Sequence, residues 1–387
     1  MPTNDTPLHA TNRLELVHSG EDYFVRLERI ILESKSEIHL QTYIFEYDAI
    51  GQKIIEALKE AASRKVKIYL LLDGFGSLMF PKEVINELKQ NGINIRFFSP
   101  FFSANSLYFG RRLHHKVVVS DSKTVLIGGI NIADKYHGTA TTPAWLDYAV
   151  QLQDEKIGES LSKLCLDIYF KKRRLDNKKT TLTQYFNDGF SVNILQNDWL
   201  KRKSEILRAY IKSIGNAKNE IVIVGSYFLP GRKLVNTLKK ASQNNVKIKL
   251  ILSGISDVPL ARRASCHLYT KLLRYNIELY EWKSSVLHGK TAVIDNHWTT
   301  IGSFNLNNLS SFGSIELNLG IDSAEFSKNY HQHLDQIMAQ CQRITPESIE
   351  KRDGLFSKFN NWLSYWISRI IEIIITYLPY NRFRGLY

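Results

Sequence analysis

The chain has 387 residues, of which 44% are hydrophobic, and Lys and Arg outnumber Asp and Glu by 51 to 38. This length and apolar share exclude a disordered chain and predict two compact units that each bury a core. The formal net charge of +13 indicates an anionic partner: nucleic acid, anionic lipid headgroups or a phosphorylated substrate. The three cysteines are widely spaced and form no CxxC pair, which argues against structural zinc.

The first predicted elements form a strand, a helix and a second strand. The stretch EIHLQTYIF, which begins at Glu37, is apolar enough for a buried strand. After a turn, the apolar residues Ile54, Ile55, Leu58 and Ala62 recur at the three- and four-residue spacing of a helix. The apolar run KIYLLLDG then predicts the second strand.

The next segment, LHHKVVVSDSKTVLIGGIN, carries the first chemical motif. His114 and Lys116 are two residues apart in a β-branched run, so their side chains share one face of a strand. Asp121 lies in the Ser-Asp-Ser turn that ends this strand, and Asn131 follows a Gly-Gly pair after a second short strand. A single His-x-Lys-(x)4-Asp pattern of this kind is a weak signal.

The second half of the chain repeats this organisation. From Glu220, EIVIVGSYF and a helical stretch precede LHGKTAVIDNHWTTIGSFN, which carries His288, Lys290, Asp295 and Asn305, each 174 residues after its counterpart. We predict one repeat over 12–175 and a second over 188–345, joined by the basic linker 171–183. Alternating strands and helices predict an α/β fold with mixed, largely parallel sheets and helices on both faces.

Two such motifs supply what exchange of a phosphodiester bond requires. One imidazole can attack phosphorus, while the other protonates the leaving oxygen and then deprotonates the acceptor. Lys116, Lys290, Asn131 and Asn305 can donate to the non-bridging oxygens. We therefore expect one active site at the interface between the repeats, with neither metal nor cofactor.

Four carboxylates have candidate roles. Asp147 follows His114 by 33 residues and Glu316 follows His288 by 28, and both interrupt apolar strands, so we expect them to orient the imidazoles. Which carboxylate serves which histidine is left open. We also group Asp121 and Asp295 with the catalytic residues, although a turn aspartate can equally lock a strand through backbone hydrogen bonds.

These residues are similar to those of the phospholipase D superfamily. The resemblance covers roughly residues 12–343 and is closest to bacterial cardiolipin synthases that lack amino-terminal transmembrane helices. Besides both motifs it rests on the segments SYFLP, SDVPLARRA and ADKYHGTATTPAWLDYAV.

The resemblance implies a phosphatidyltransferase that converts two phosphatidylglycerol molecules to cardiolipin and glycerol through a phosphohistidine. It assigns the nucleophile to His114 and the acid and base to His288. It further implies a peripheral enzyme on the cytoplasmic face of the bacterial inner membrane, which binds anionic phospholipid and no nucleic acid. Water as acceptor would make it a phospholipase D-type hydrolase, and a phosphodiesterase or nuclease of the same superfamily is a further alternative, as is an inactive lipid-binding protein.

The carboxyl-terminal segment 346–387 is predicted to form an amphipathic helix that associates with a membrane. Between residues 355 and 378 its polar residues recur at three- and four-residue steps in a narrow stripe, while most other positions are apolar. Arg369 and Glu372 make a membrane span costly, so we expect the helix to lie in the interface with its polar stripe in water. The alternative is a helix docked on protein.

Overall fold

The structure is a computed structural model that describes residues 13–100, 102–103, 106–107, 111–171, 183–186, 189–198 and 203–377. Residue 12, residues 172–175 of the predicted first repeat, most of the predicted linker and the end of the carboxyl-terminal segment, 378–387, lie outside this description.

The described elements of the first repeat are β1 (Leu14–His18), α1 (Glu21–Glu33), β2 (Glu37–Thr42), α2 (Ala49–Ser63), β3 (Lys67–Asp73), α3 (Lys82–Gln90), β4 (Asn94–Phe98), β5 (Phe102–Ser103), β6 (Ser106–Leu107), β7 (Arg112–Leu113), β8 (Lys116–Ser120), β9 (Thr124–Gly128), α4 (Asp134–His137), β10 (Tyr148–Gln153) and α5 (Glu155–Tyr169).

Those of the second half are β11 (Thr183–Tyr185), β12 (Ser191–Asp198), β13 (Lys203–Ser204), α6 (Glu205–Asn216), β14 (Glu220–Gly225), α7 (Arg232–Gln243), β15 (Lys247–Ser253), α8 (Pro259–Arg274), β16 (Glu278–Trp282), β17 (Lys290–Ile294), β18 (Trp298–Gly302), α9 (Asn308–Phe312), β19 (Ser314–Asp322), α10 (Ala324–Ala339), β20 (Gln342–Ile344), α11 (Pro346–Arg352) and α12 (Leu355–Tyr377).

Each repeat contains one mixed sheet, as the sequence predicts. The first has the order β1-β10-β9-β8-β2-β3-β4, and the second runs β11-β12-β19-β18-β17-β14-β15-β16-β20. Along these two strand orders, β2-β3-β4 and β14-β15-β16 are parallel, and the remaining neighbours are antiparallel. The prediction of largely parallel sheets is therefore wrong, although the α/β class is confirmed.

The reason lies in the turns that follow the motifs. Asp121 and Ser122 both have φ 51°, and Asp295 and Asn296 both have φ 52°. Two consecutive residues of positive φ form a tight hairpin turn, which joins antiparallel strands only. The motif strands β8 and β17 are thus each the first strand of a hairpin.

A shared core holds the two sheets together. On the outer side of the first sheet, α1 and α2 bury residues such as Leu27 and Leu58 against Leu40. On the inner side, Val117 of β8 belongs to one buried cluster with Val293 of β17, α5 and α10. Both faces of the first sheet are therefore covered, and the repeats pack on each other through apolar side chains.

Backbone pairing between the repeats occurs just before each motif. β7 pairs in parallel with the start of β19, where Leu113 is opposite Ile315, and Leu146 forms an isolated bridge with Leu287. As a result, the segment leading to each histidine runs beside a segment of the other repeat.

Helix α12 docks with the side that we predicted to face water. Asn361, Ser364 and Glu372 of its polar stripe are buried, whereas Trp362 and Ile370, on its apolar side, are exposed. Within the described residues no helix is both long and apolar enough to cross a membrane. The prediction of a wet polar stripe is wrong, because this stripe contacts the second repeat.

Polar groups hold α12 in this orientation. Arg369 donates to the carbonyl oxygens of Leu229 (3.2 Å) and Pro230 (2.6 Å) and pairs with Glu372 at 2.9 Å. Glu372 in turn accepts hydrogen bonds from the backbone N–H and the side-chain amide of Asn308, both at 3.1 Å. Because these polar groups satisfy one another, the helix can bury its polar side and leave its apolar side exposed.

Candidate active site

Both predicted His-x-Lys pairs lie at the interface of the repeats. His114 follows β7 and Lys116 begins β8, while His288 precedes β17 and Lys290 begins it. The backbone N–H of His114 donates to the Ile315 carbonyl at 3.0 Å, which ties the first motif to the second repeat. The backbone N–H of His288 donates to the carbonyl of Leu146 at 2.8 Å, which ties the second motif to the first repeat.

The two predicted orienting carboxylates pair crosswise with the histidines. Nδ1 of His114 lies 2.9 Å from Oε2 of Glu316, and Nδ1 of His288 lies 2.6 Å from Oδ2 of Asp147. Each imidazole is thus held by a carboxylate of the other repeat. Both carboxylates are completely buried, so the bond to Nδ1 fixes the ring orientation and leaves Nε2 as the nitrogen available for chemistry.

The surroundings of the carboxylates explain a difference between the motifs. A Cβ atom at Gly129 would lie 2.4 Å from a carboxylate oxygen of Asp147, so a side chain there would displace that carboxylate. The corresponding residue of the second motif is Ser303, whose hydroxyl donates to Oε2 of Glu316 at 2.5 Å. The Gly-to-Ser difference therefore accompanies two different ways of holding a carboxylate.

The two lysines are buried, and each is tethered to the histidine of its own motif. Nζ of Lys116 donates to the carbonyl of His114 at 2.5 Å, and Lys290 donates to the carbonyl of His288. Burial lowers the pKa of Lys116 to about 7 and that of Lys290 to about 8. An anion in this site would stabilise the charged forms, so the pair is suited to phosphate.

Burial also affects the histidines and one carboxylate. It lowers the pKa of His114 and lowers that of His288 well below its usual value, and the lysines of both motifs add to each effect. Burial raises the pKa of Asp147 to about 6, opposed by the charge of Lys290. Since each lysine influences the histidine of the other repeat, the four basic groups form one electrostatically coupled cluster.

The two predicted phosphate-binding asparagines differ in how their amides are used. Oδ1 of Asn131 accepts from the backbone N–H of Ile44 at 3.1 Å, and its Nδ2 donates to the Tyr136 hydroxyl at 2.7 Å. Oδ1 of Asn305 accepts from the hydroxyl of Ser226 at 3.0 Å, and its Nδ2 has no partner within the described chain. Asn305 therefore has the freer donor for a phosphate oxygen.

Asp121 and Asp295 lie in the hairpin turns and not with the histidines. The carboxylate of Asp121 accepts from the backbone N–H groups of residues 35, 36 and 37, and that of Asp295 accepts from those of residues 218, 219 and 220. Despite partial burial, these bonds hold the pKa of Asp121 below its usual value. We correct their grouping with the catalytic residues, because each carboxylate ties a turn to the start of β2 or β14.

Aromatic side chains that the sequence motifs do not indicate surround both histidines. The ring of Tyr43 lies edge-on to His114 with 5.0 Å between ring centroids, and Tyr136 and Trp145 lie 5.2 and 5.9 Å from His288. Tyr136 and Trp145 fall within the segment ADKYHGTATTPAWLDYAV, but nothing in their spacing distinguishes them from core aromatics. No group of three His, Cys, Asp or Glu residues suited to a metal occurs in the part of the chain that the structure describes.

This arrangement defines the class of protein, a phospholipase D-like protein of two repeats. A family model described as "Cardiolipin synthase, PLD-like domain" matches residues 27–159 and 210–338. Cardiolipin synthase B of Shigella flexneri is 31% identical over 375 residues, covering 95% of this chain and 90% of that protein. Minor cardiolipin synthase ClsB of Bacillus subtilis is 26% identical over 94% and 89% of the two chains. The chain belongs to the cardiolipin synthase family of phospholipase D-like proteins.

Solved structures agree on the fold. The phosphatidylserine synthase of Haemophilus influenzae superposes with a TM-score of 0.74 at 15% identity, covering 95% of each chain. The polyphosphate kinase of Porphyromonas gingivalis gives 0.60 at 16% identity, covering 83% of this chain and 46% of that chain. At such identities the likeness shows the fold alone, which is the predicted α/β fold.

Proposed function

We propose that this protein is a cardiolipin synthase that transfers a phosphatidyl group from one phosphatidylglycerol to another and releases glycerol. The observation that carries the proposal is the crosswise arrangement of two His–carboxylate pairs around two buried lysines, His114 with Glu316 and His288 with Asp147. Such a site suits exchange of one phosphodiester for another, and membership of the cardiolipin synthase family points to a phospholipid as the donor.

In the first step Nε2 of His114 attacks phosphorus and the bond to the glycerol oxygen breaks. Glu316 holds Nδ1–H and stabilises the positive charge that develops on the ring. Lys116, Lys290 and Asn305 donate to the non-bridging oxygens. A proton on Nε2 of His288 passes to the leaving glycerol oxygen, so the products of this step are a phosphohistidine and neutral glycerol.

In the second step the acceptor phosphatidylglycerol gives the proton of its free hydroxyl to Nε2 of His288. Its oxygen attacks the phosphohistidine, the P–N bond breaks, and cardiolipin leaves with His114 restored. His288 regains the proton that it lost in the first step. One phosphodiester replaces another, so the cycle balances without a further reactant.

We further propose that α12 places this site at an anionic phospholipid membrane, as a peripheral protein on the cytoplasmic face of the bacterial inner membrane. The support is the exposed apolar face of α12, which includes Phe359, Trp362, Trp366, Ile370 and Ile373. An exposed apolar face of this extent on a docked helix is suited to lipid contact. The net charge of +13 adds attraction to anionic headgroups.

The activity is tested by incubating the purified protein with radiolabelled phosphatidylglycerol in vesicles and separating the lipids by thin-layer chromatography. The proposal predicts labelled cardiolipin and free glycerol in equal amounts. Phosphatidic acid as the sole product would assign a hydrolase, and an unchanged donor together with cleavage of DNA would assign a nuclease. Either result would overturn the proposal.

The membrane face is tested with the double variant Trp366→Ser, Ile370→Ser. Because two exposed apolar side chains are lost, binding to vesicles of phosphatidylglycerol and phosphatidylcholine should fall at least about tenfold. Turnover of a soluble short-chain donor should stay within about twofold. Val25→Ser, which removes an exposed apolar side chain on α1, is the matched control. Unchanged vesicle binding would contradict the proposal, and loss of dimerisation in its place would assign this face to a second copy of the chain.

A further inference from the structure

The hydroxyl of Tyr136 lies between the two motifs of the active site. Tyr136 is completely buried in the short helix α4, five residues after Asn131. Its hydroxyl is 2.7 Å from Nδ2 of Asn131 and 3.4 Å from Nε2 of His288. Its ring packs edge-on against His288 and lies 5.1 Å from the ring of Trp145. A side chain of the first repeat thus reaches the reactive nitrogen of the second.

The neighbouring bonds set the direction of this contact. Oδ1 of Asn131 accepts from the backbone N–H of Ile44 at 3.1 Å and from the hydroxyl of Thr42 at 3.4 Å. The other end of the amide, an NH2 group, therefore faces Tyr136 and donates to its oxygen. The hydrogen of Tyr136 remains available for His288.

On the other side of the contact, Asp147 fixes the tautomer of His288. A carboxylate accepts hydrogen bonds, so Nδ1 of His288, 2.6 Å from Asp147, carries a hydrogen. In the neutral ring Nε2 then has a lone pair and accepts the hydrogen of Tyr136. The contacts form one directed chain from the backbone N–H of Ile44, through Asn131, Tyr136 and His288, to the carboxylate of Asp147.

Burial keeps Tyr136 protonated, because it raises the pKa of the phenol well above its usual value. The phenol can therefore donate to the neutral imidazole, and it can accept from Nε2–H when the imidazole is charged. No proton needs to leave Tyr136 in either state. The hydroxyl can hold the ring before and after each proton transfer.

The surroundings of His114 in the first motif differ. The aromatic neighbour of His114 is Tyr43, which meets it through the ring edge. In the described ranges of the chain, no hydroxyl donates to Nε2 of His114. The position 174 residues after Tyr136 is Ser310, which lies on α9 and bonds to neither histidine. The hydroxyl contact therefore separates two histidines whose motifs are otherwise alike.

We propose that Tyr136 is a positioning residue that holds Nε2 of His288 between proton transfers and thereby reserves this histidine for acid–base work. The inference rests on the proposed phosphatidyl transfer. Nε2 of His114, to which no hydroxyl of the described residues is bound, is left free to attack phosphorus. The leaving glycerol oxygen, and later the acceptor hydroxyl, takes the place of Tyr136 at Nε2 of His288.

The test compares Tyr136→Phe with wild type on two donors in the intact protein. Phosphatidylglycerol has a poor leaving group that needs acid help, whereas a short-chain phosphatidyl-p-nitrophenol has a good one. Release of glycerol from the first donor should slow by about 10- to 100-fold. The initial burst of nitrophenol from the second should change by less than about threefold, because His114 still attacks. Tyr210→Phe, which removes a buried hydroxyl without a hydrogen-bond partner in the described part of the chain, is the matched control and should change neither rate.

An equal loss on both donors would show a general structural effect, and no loss on phosphatidylglycerol would show that the hydroxyl is idle. Either result overturns the proposal. If Tyr136→Phe does not fold, Asn131→Asp serves in its place. A carboxylate at this position accepts the phenolic hydrogen and draws it away from His288. Glycerol release should then slow while the nitrophenol burst changes little, as expected for Tyr136→Phe. Glycerol release measures the first step whatever the acceptor. Wild-type protein that releases glycerol but makes no cardiolipin would therefore refute the proposed function and leave this test intact.

Discussion

The two halves of the active site carry the same motif but differ in what surrounds the imidazole. In one half, His114 is held by Glu316, whose carboxylate also accepts from Ser303. In the other, His288 is held by Asp147, and its Nε2 faces the hydroxyl of Tyr136. Among the residues that the structure describes, a hydroxyl contacts Nε2 of His288 and none contacts Nε2 of His114.

This difference shows how a duplicated motif can supply two distinct functional groups. The His-x-Lys pairs fix what the repeats share, namely an imidazole and an ammonium group on each side of the interface. Neighbouring residues that do not correspond between the repeats, such as Tyr136 and Ser303, can then divide the chemistry. The crosswise carboxylates also make each half dependent on the other, because neither repeat alone holds its own histidine.

The largest effect is expected from replacing the carboxylates by amides. Asp147→Asn and Glu316→Gln keep the shape of the side chain but no longer stabilise a charged imidazole, so kcat for phosphatidylglycerol should fall by about two to four orders of magnitude. With a p-nitrophenyl donor the two variants should differ in the size of the nitrophenol burst. Stopped-flow measurement of the burst should show recovery for Asp147→Asn, since His288 is then not needed as an acid, and no recovery for Glu316→Gln.

The variant Glu15→Gln is a suitable control, because it changes a carboxylate of β1 that pairs with Arg26 at the protein surface. Its activity should match that of wild type. Equal bursts from Asp147→Asn and Glu316→Gln would contradict the division of roles between the two halves.

A smaller effect is expected at the turns, where the repeats are alike. Asp121→Asn and Asp295→Asn each weaken hydrogen bonds from three consecutive backbone N–H groups to a carboxylate, so each should lower the free energy of unfolding by about 1–3 kcal/mol. Activity per folded molecule should stay within about twofold. Urea unfolding and kcat measured on the same samples check both points. Loss of turnover at unchanged stability would return these aspartates to the catalytic residues.

The smallest expected effect is the uptake of less than one proton by the two lysines when a phosphodiester binds. Burial lowers the pKa of Lys116 to about 7 and that of Lys290 to about 8, so both lysines are partly neutral near pH 7.5, and Lys116 more so than Lys290. A bound phosphodiester favours the charged forms and raises both pKa values, so binding should take up protons at this pH, mostly on Lys116. Calorimetry of a soluble short-chain phosphodiester in buffers of different ionisation enthalpy measures this uptake.

The variant Lys116→Met should remove most of that uptake, and Lys290→Met should remove less. Binding enthalpies that do not depend on the buffer would show that both lysines are already charged before the phosphodiester binds.

The sequence predicted the features that duplication repeats. Two motifs in register identified His114, Lys116, His288 and Lys290, and the carboxylates inside apolar strands identified the residues that contact the histidines. Their pairing was not predictable, because separations of 33 and 28 residues give no information about which repeat a carboxylate faces. The crosswise arrangement follows from pairing between β7 and β19, which is a tertiary contact.

The features that the sequence did not predict correctly also depend on tertiary contacts. Helical spacing located the polar stripe of α12, but periodicity cannot tell whether a polar face meets water or partners such as Asn308 on protein. Asp121 and Asp295 recur in both motifs at a fixed distance from the histidines, which suggested a catalytic role. Each lies in the turn after the motif strand, at the opposite end from the histidine. Tyr136 gave no signal because a buried tyrosine in a short helix resembles any core aromatic.

In the proposed mechanism His114 forms the covalent bond to phosphorus and His288 does not. The most direct test mixes the protein with a radiolabelled p-nitrophenyl donor, quenches within the burst at alkaline pH, and maps the label by peptide mass spectrometry. We expect phosphohistidine at His114 in wild type and in His288→Ala, and none in His114→Ala. Label on the peptide that contains His288 would contradict it.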